Sequence, residues 1–183
     1  MPAASTVIPP EEAGLRRLSG ALVLLCLAPA VVLPVAVAST WLSTDPAALA
    51  AQAGLPPGAV PAGWQVLSGG LLAMLPSLLL AAGLVAAARC FRLFRQGAYL
   101  TAGNVAALRA FGGRVALSGL AGLLVPTALA LLLSVGQAPG RRALVLSLES
   151  GPVMALVFGG AVWAISAVMA RAVAIAEDHA QIV

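Results

Sequence analysis

Four stretches of this chain contain no Asp, Glu, Lys, Arg or His: Leu18 to Trp41, Val66 to Ala88, Val115 to Val135 and Pro152 to Ala170. Each is close to the ~20 residues that an α-helix needs to cross a ~30 Å hydrocarbon layer. In lipid the backbone must satisfy its own hydrogen bonds, so apolar runs of this length are helices, not strands or loops. A soluble alternative fails on its surface. Only 9% of the 183 residues are charged and 61% are apolar, whereas an ordinary globular domain has about 25% charged residues. Six acidic and ten basic side chains cannot cover a water-facing domain of this size. The chain therefore reads as an all-α integral membrane protein, a four-transmembrane-helix bundle. Residues 1–17 form an N-terminal tail and 18–183 a single membrane domain, with a segment 89–114 between the second and third spans and a C-terminal tail 171–183.

Proline recurs inside the runs at Pro29, Pro34, Pro76 and Pro126, which is tolerated where neighbouring helices re-satisfy the freed carbonyls. Small residues at four-residue spacing, Ser118 with Gly122, Gly83 with Ala87, and Ala155 with Gly159 followed by Trp163, allow helices to approach closely. They favour a packed bundle over isolated anchors. Spacing alone leaves open whether those faces meet within one chain or in a homo-oligomer.

All ten basic residues are Arg, and their placement sets an orientation. Arg16, Arg17, Arg89, Arg92, Arg95, Arg109, Arg114 and Arg171 fall on one side of a four-span topology, against Arg141 and Arg142 on the other. Basic residues near span ends concentrate in the cytoplasm, so both termini and the segment 89–114 are expected inside a bacterial cytoplasmic membrane. A rival reading makes the first run a signal peptide, with Arg16 and Arg17 before it and Ala36-Val37-Ala38 as a cleavage motif. The run is longer than an ordinary signal core of about 7 to 15 residues. The arginines flank apolar runs without forming a basic face interleaved with aromatics, which argues against direct nucleic-acid binding.

The segment between the first two runs contains Asp45-Pro46, an Ala-rich stretch and Gly54. It reads as a short helix with Asp45 as cap and Gly54 as stop, and its lack of charge suits a membrane surface. Ala143 to Ser150 reads as a short strand or an early helical turn, so the fourth span starts between Leu144 and Pro152.

The segment 89–114 mixes charge, aromatics and turn residues. Phe91 and Phe94 with Arg92 and Arg95 continue the second helix into the headgroup zone, where rings and long basic side chains are favoured. Gly97 is a helix stop, and Thr101 caps a new helix whose Asn104 is placed to bond back, a weakened capping box. Leu108 and Phe111 share one face of that helix. The arginines suit anionic membrane lipid or an acidic partner, or serve only to fix topology.

Phe94, Gly97, Leu100, Thr101, Asn104, Leu108 and Arg109, with the end Glu177-Asp178 and terminal Ile182 and Val183, resemble a family of small bacterial membrane proteins grouped as domain of unknown function 2975. The likeness extends over most of the chain, with four spans in the same order. It departs where the family commonly has an aromatic residue in place of Leu100 and a Gly in place of Ala172. The resemblance implies architecture without a biochemical activity. It also implies a neighbouring helix-turn-helix regulator as a cytoplasmic partner, with Phe94, Gly97, Thr101, Asn104, Leu108, Arg109, Glu177 and Asp178 as the interaction motif.

Signs of catalysis are missing. No span carries an ionisable group of the kind that marks an intramembrane site, and Gly112-Gly113 and Gly159-Gly160 lack the strand and Lys of a phosphate loop. His179, the one histidine, has only Glu177 and Asp178 near it, too few for a zinc site. Cys26 and Cys90 stand in no ligand-spaced cluster. Glu149 lies just before the fourth run, with Arg141 and Arg142 upstream as candidate partners, and reads as a surface carboxylate or a proton-coupled one. The expected function is that of a non-enzymatic sensing, regulatory or accessory membrane protein acting through its cytoplasmic segment, without a cofactor. A small transporter or channel is the alternative.

Overall fold

The computed structural model describes residues 10–56, 58–96, 101–135 and 149–180, with side chains from Leu18 to Ile175 within those ranges. Five helices follow one another: α1 (Pro10–Ser43), α2 (Pro46–Gln52), α3 (Gly63–Arg95), α4 (Ala102–Ser134) and α5 (Ser150–Ala180). Among the described residues there is no strand. α1, α3, α4 and α5 are each long and apolar enough to cross a membrane, as the four uncharged runs require.

The helices outrun those runs at almost every end. α1 already begins at Pro10, α3 continues to Arg95, α4 starts at Ala102, and α5 extends from Ser150 to Ala180, through what the sequence suggested was a tail. Charged and polar side chains end an apolar run without ending a helix, because backbone hydrogen bonds continue wherever no breaker intervenes. The chain also runs helically through Pro29, Pro34, Pro76 and Pro126.

Packing follows chain order. α1 lies on α3, α3 on α4 and α4 on α5, with no comparable contact between α1 and α5 among the described residues. The bundle is thus an open row. In the most apolar stretch of each helix, 33% of residues are buried in both α3 and α4, against 6% in α1 and 11% in α5. The two inner helices form the core and the outer two turn their surfaces to lipid.

The closest approach in the row is between α4 and α5, and glycine makes it possible. A Cβ on Gly112 would lie 2.6 Å from Trp163 N, and one on Gly119 2.5 Å from Pro152 O. One on Gly159 would collide with the backbone of Ala116 and Gly112. Gly112 and Gly119 are seven residues apart, about 20° off a common line at 3.6 residues per turn, so together they present one seam to α5. The pair Ser118 and Gly122 divides its contacts. Ser118 donates from Oγ to Pro76 O of α3 at 2.8 Å, while Gly122 faces the Pro152 ring of α5. A Cβ on Gly83 would lie 3.4 Å from side-chain carbons of Arg114 and Val115 across the α3/α4 contact.

Polar side chains fasten the end of the row where α3 begins and α4 ends. Gln65 is 4% exposed. Its Oε1 accepts from Ala62 N at 2.7 Å, and its Nε2 donates to Leu132 O at 2.9 Å and Val135 O at 3.0 Å. One amide therefore closes the start of α3 and the end of α4, two places where helices leave backbone groups unpaired. Trp41 Nε1 donates to Val66 O at 3.0 Å, tying the end of α1 to the start of α3. Its ring lies in a notch left by Gly69 and Gly70, where an added Cβ would come within 3.0 and 2.7 Å of the indole.

α2 forms as its cap residues dictate. Asp45 accepts from Ala47 N at 3.0 Å, Pro46 occupies the first position, and Gly54 takes a positive φ of 76°. The helix does not lie free on the membrane surface. Leu49 and Ala50 are buried, and Ala50, Leu55 and Ala59 form one apolar cluster with Leu133 of α4. Burial of that cluster holds the segment against the bundle end.

Two stability outcomes follow. Gly159→Ala should destabilise the protein in detergent by about 1–3 kcal/mol, because the methyl group meets backbone with no room to yield. Gly160→Ala, where a Cβ meets nothing within 4 Å, should leave the thermal midpoint unchanged or raise it slightly. Gln65→Leu should cost about 1–3 kcal/mol by stranding carbonyls at the end of α4, again read as thermal unfolding in detergent.

Candidate functional site

The residues singled out for function divide between the ends of the row. At one end, α3 extends past its last apolar residues, carrying Arg89, Arg92 and Arg95 exposed on its final turns. Phe91 and Phe94 are half-buried between them, with ring centroids 6.2 Å apart. The arginines in this last turn also suit the negative end of the helix dipole.

α4 begins at this same end. Thr101 has extended backbone angles, φ −126° and ψ 151°, and its hydroxyl accepts from Asn104 N at 3.3 Å, the N-cap its position suggests. The return bond does not form: Asn104 Oδ1 is buried and accepts no hydrogen bond, although the residue is engaged in another interaction. Asn104 is 3% exposed and Leu108 is half-buried. These two residues build the start of α4 and its packing, and offer little surface to a partner.

Arg109 is exposed and stacks over the Trp163 ring of α5, its guanidinium carbon 5.2 Å from the ring centroid. Phe111 meets Phe158 edge to face at 6.3 Å. Gly97 lies outside the described residues. Glu177 and Asp178 belong to the last turns of α5. Trp163 stands level with Arg109. From that level α5 advances another fourteen residues to Glu177, about 21 Å at 1.5 Å per residue, whereas α4 reaches its start at Ala102 within seven. The backbone of the acidic pair therefore lies beyond the start of α4.

Arg114 fixes the relative height of α3 and α4. Its Nη1 donates to Ala82 O at 3.1 Å, and its Cβ faces Gly83. An apolar run read along one helix carries no information about its height relative to the next. The guanidinium satisfies a carbonyl while its stem lies along apolar surface, the usual arrangement for an arginine near a membrane boundary.

At the other end, Trp41, Leu49, Gln52, Ala53, Pro126, Leu129, Leu133 and Glu149 line a cavity of about 340 Å³. It draws on α1, α2, α4 and the residue before α5. From Leu133 to Pro126 it extends about 10 Å along α4, and Glu149, itself exposed, borders it. The arginines considered as its partners, Arg141 and Arg142, fall outside the described residues, as does most of Ala143 to Ser150. Neither Trp41 nor Gln65 stands out in sequence as a site residue. The available signal was an aromatic and an amide at the two ends of the segment that joins α1 to α3.

Cys26 and Cys90 are free thiols, the first half-buried and the second buried. Among the described residues no three His, Cys, Asp or Glu side chains come together as a metal site would need.

No family model matches the chain, and no curated protein or solved structure matches it either.

The capping role of Thr101 predicts that Thr101→Ala lowers stability by about 1 kcal/mol while Thr101→Ser retains most of it, measured by thermal unfolding in detergent.

Proposed function

We propose that this protein is a non-enzymatic sensing, regulatory or accessory protein of the bacterial cytoplasmic membrane, engaging a cytoplasmic partner through the end of α3. The observation that carries this reading is the exposure of Arg89, Arg92 and Arg95 on a helix that continues past its apolar stretch. Four crossings return both termini to one side, and the side holding eight of the ten arginines is assigned to the cytoplasm by the preference of basic residues for it. The same arginines would hold this rim against anionic headgroups, at about 1 kcal/mol each, leaving an acidic protein surface to compete for them. The likeness to the domain of unknown function 2975 family supplies the candidate, a helix-turn-helix regulator. The motif residues Thr101 and Asn104 act here by shaping the start of α4.

A transport reading draws its support from the recess beside Glu149. Proteoliposome flux that disappears in Glu149→Gln would favour it.

The partner reading is tested by purification from the native host in a mild detergent. A small DNA-binding protein should co-elute with the wild type, and Arg89→Gln with Arg92→Gln should weaken its retention several-fold at an unchanged thermal midpoint. A monodisperse preparation that recovers no such protein would count against the reading.

A further inference from the structure

We infer that the outer cavity is a binding site for an organic cation with an apolar body, held by the Glu149 carboxylate and the face of Trp41. The cavity volume of about 340 Å³ lies at the lower end of the range of about 300–1,000 Å³ for small-molecule sites. Its chemistry is lopsided. Leu49, Ala53, Pro126, Leu129 and Leu133 contribute apolar walls, and the polar side chains are Gln52 and Glu149. Glu149 is exposed, so its carboxylate stands at the mouth of the recess, where the low-dielectric wall on one side strengthens its attraction for positive charge.

Trp41 adds a second element of the same sign. Aromatic faces carry negative quadrupole density and attract ammonium groups, most strongly for Trp. The indole is held in place by its bond to Val66 O and by the notch at Gly69 and Gly70, so the face does not have to be ordered when a ligand arrives. A hydrated metal ion is a poor match, because a hard cation takes six or more oxygen ligands. Among the described residues that line the cavity, only Glu149 and Gln52 supply side-chain oxygens. A weakly hydrated quaternary or bulky alkylammonium group fits both the carboxylate and the apolar wall. Such a group arrives either as a free solute or as the headgroup of a lipid in the outer leaflet. This site lies at the opposite end of the molecule from the proposed cytoplasmic contact and stands independently of it.

The test uses the full chain in maltoside micelles, which carry no ammonium, with benzyltrimethylammonium as probe and equilibrium dialysis as readout. Neopentylbenzene, the same shape with carbon in place of the charged nitrogen, serves as competitor. Wild type and Glu149→Asp should bind the probe, and Glu149→Gln should lose about tenfold in affinity while keeping its thermal midpoint. Trp41→Phe should bind nearly as well as wild type, with Trp41→Leu losing a similar factor. Equal binding by Glu149→Gln, the result expected if Arg141 or Arg142 already neutralises the carboxylate, overturns the proposal, as does equal competition by the uncharged isostere. Displacement of the probe by phosphatidylcholine bicelles identifies a lipid headgroup as the ligand, and failure of that displacement identifies a free solute, both supporting the same site.

Discussion

Inside a bilayer no water is present to take a hydrogen bond, so the four uncharged runs are helices whose backbones satisfy themselves. The helix ends are the demanding positions, because each leaves backbone groups without an intrahelical partner. Gln65 answers for two of them at once, one amide accepting from the start of α3 and donating to the end of α4. Asp45 and Thr101 do the same locally for α2 and α4. Arg114 and Ser118 reach carbonyls of α3, at Ala82 and Pro76, from the neighbouring helix. Few polar side chains are present, and several of them serve the backbone.

With hydrophobic burial giving little preference for one helix partner over another in lipid, shape takes over. α4 and α5 meet through Gly112, Gly119 and Gly159, where the backbones leave no space for a side chain. α1 and α3 meet where Gly69 and Gly70 accept the indole of Trp41. In each case an absent Cβ is matched to something specific, a backbone in one case and a ring in the other. The outer cavity arises because α2 folds back over the end of the row and brings Leu49 and Gln52 opposite α4.

Helix number, the short capped helix at Pro46 and the cap at Thr101 were legible in the sequence, because each depends on residues close together in the chain. Apolar run length sets the spans, and Asp-Pro or Thr with a following turn sets a cap within a few residues. Relative height was not legible, since Arg114 and Ala82 stand side by side from positions 32 residues apart. The pairing of Ser118 with Gly122 is a correct sign of close packing, yet the two residues serve different neighbours. Gln65 looks like an ordinary polar residue at the edge of a run, and only the arrival of Leu132 and Val135 from nearly seventy residues away reveals its role. The chemistry-bearing positions at the outer end share this property, since Trp41 and Glu149 are over a hundred residues apart.

The open row has a consequence for biosynthesis. Each long helix rests on the one made just before it, α3 on α1, α4 on α3 and α5 on α4, so no contact between the first and last helices must wait for the whole chain. Topologies dominated by neighbour-to-neighbour contacts assemble rapidly, and emerging chains fold from the N-terminal side as they are made. Each hairpin here can dock as its second helix leaves the insertion machinery, and the glycine seam with α5 closes last.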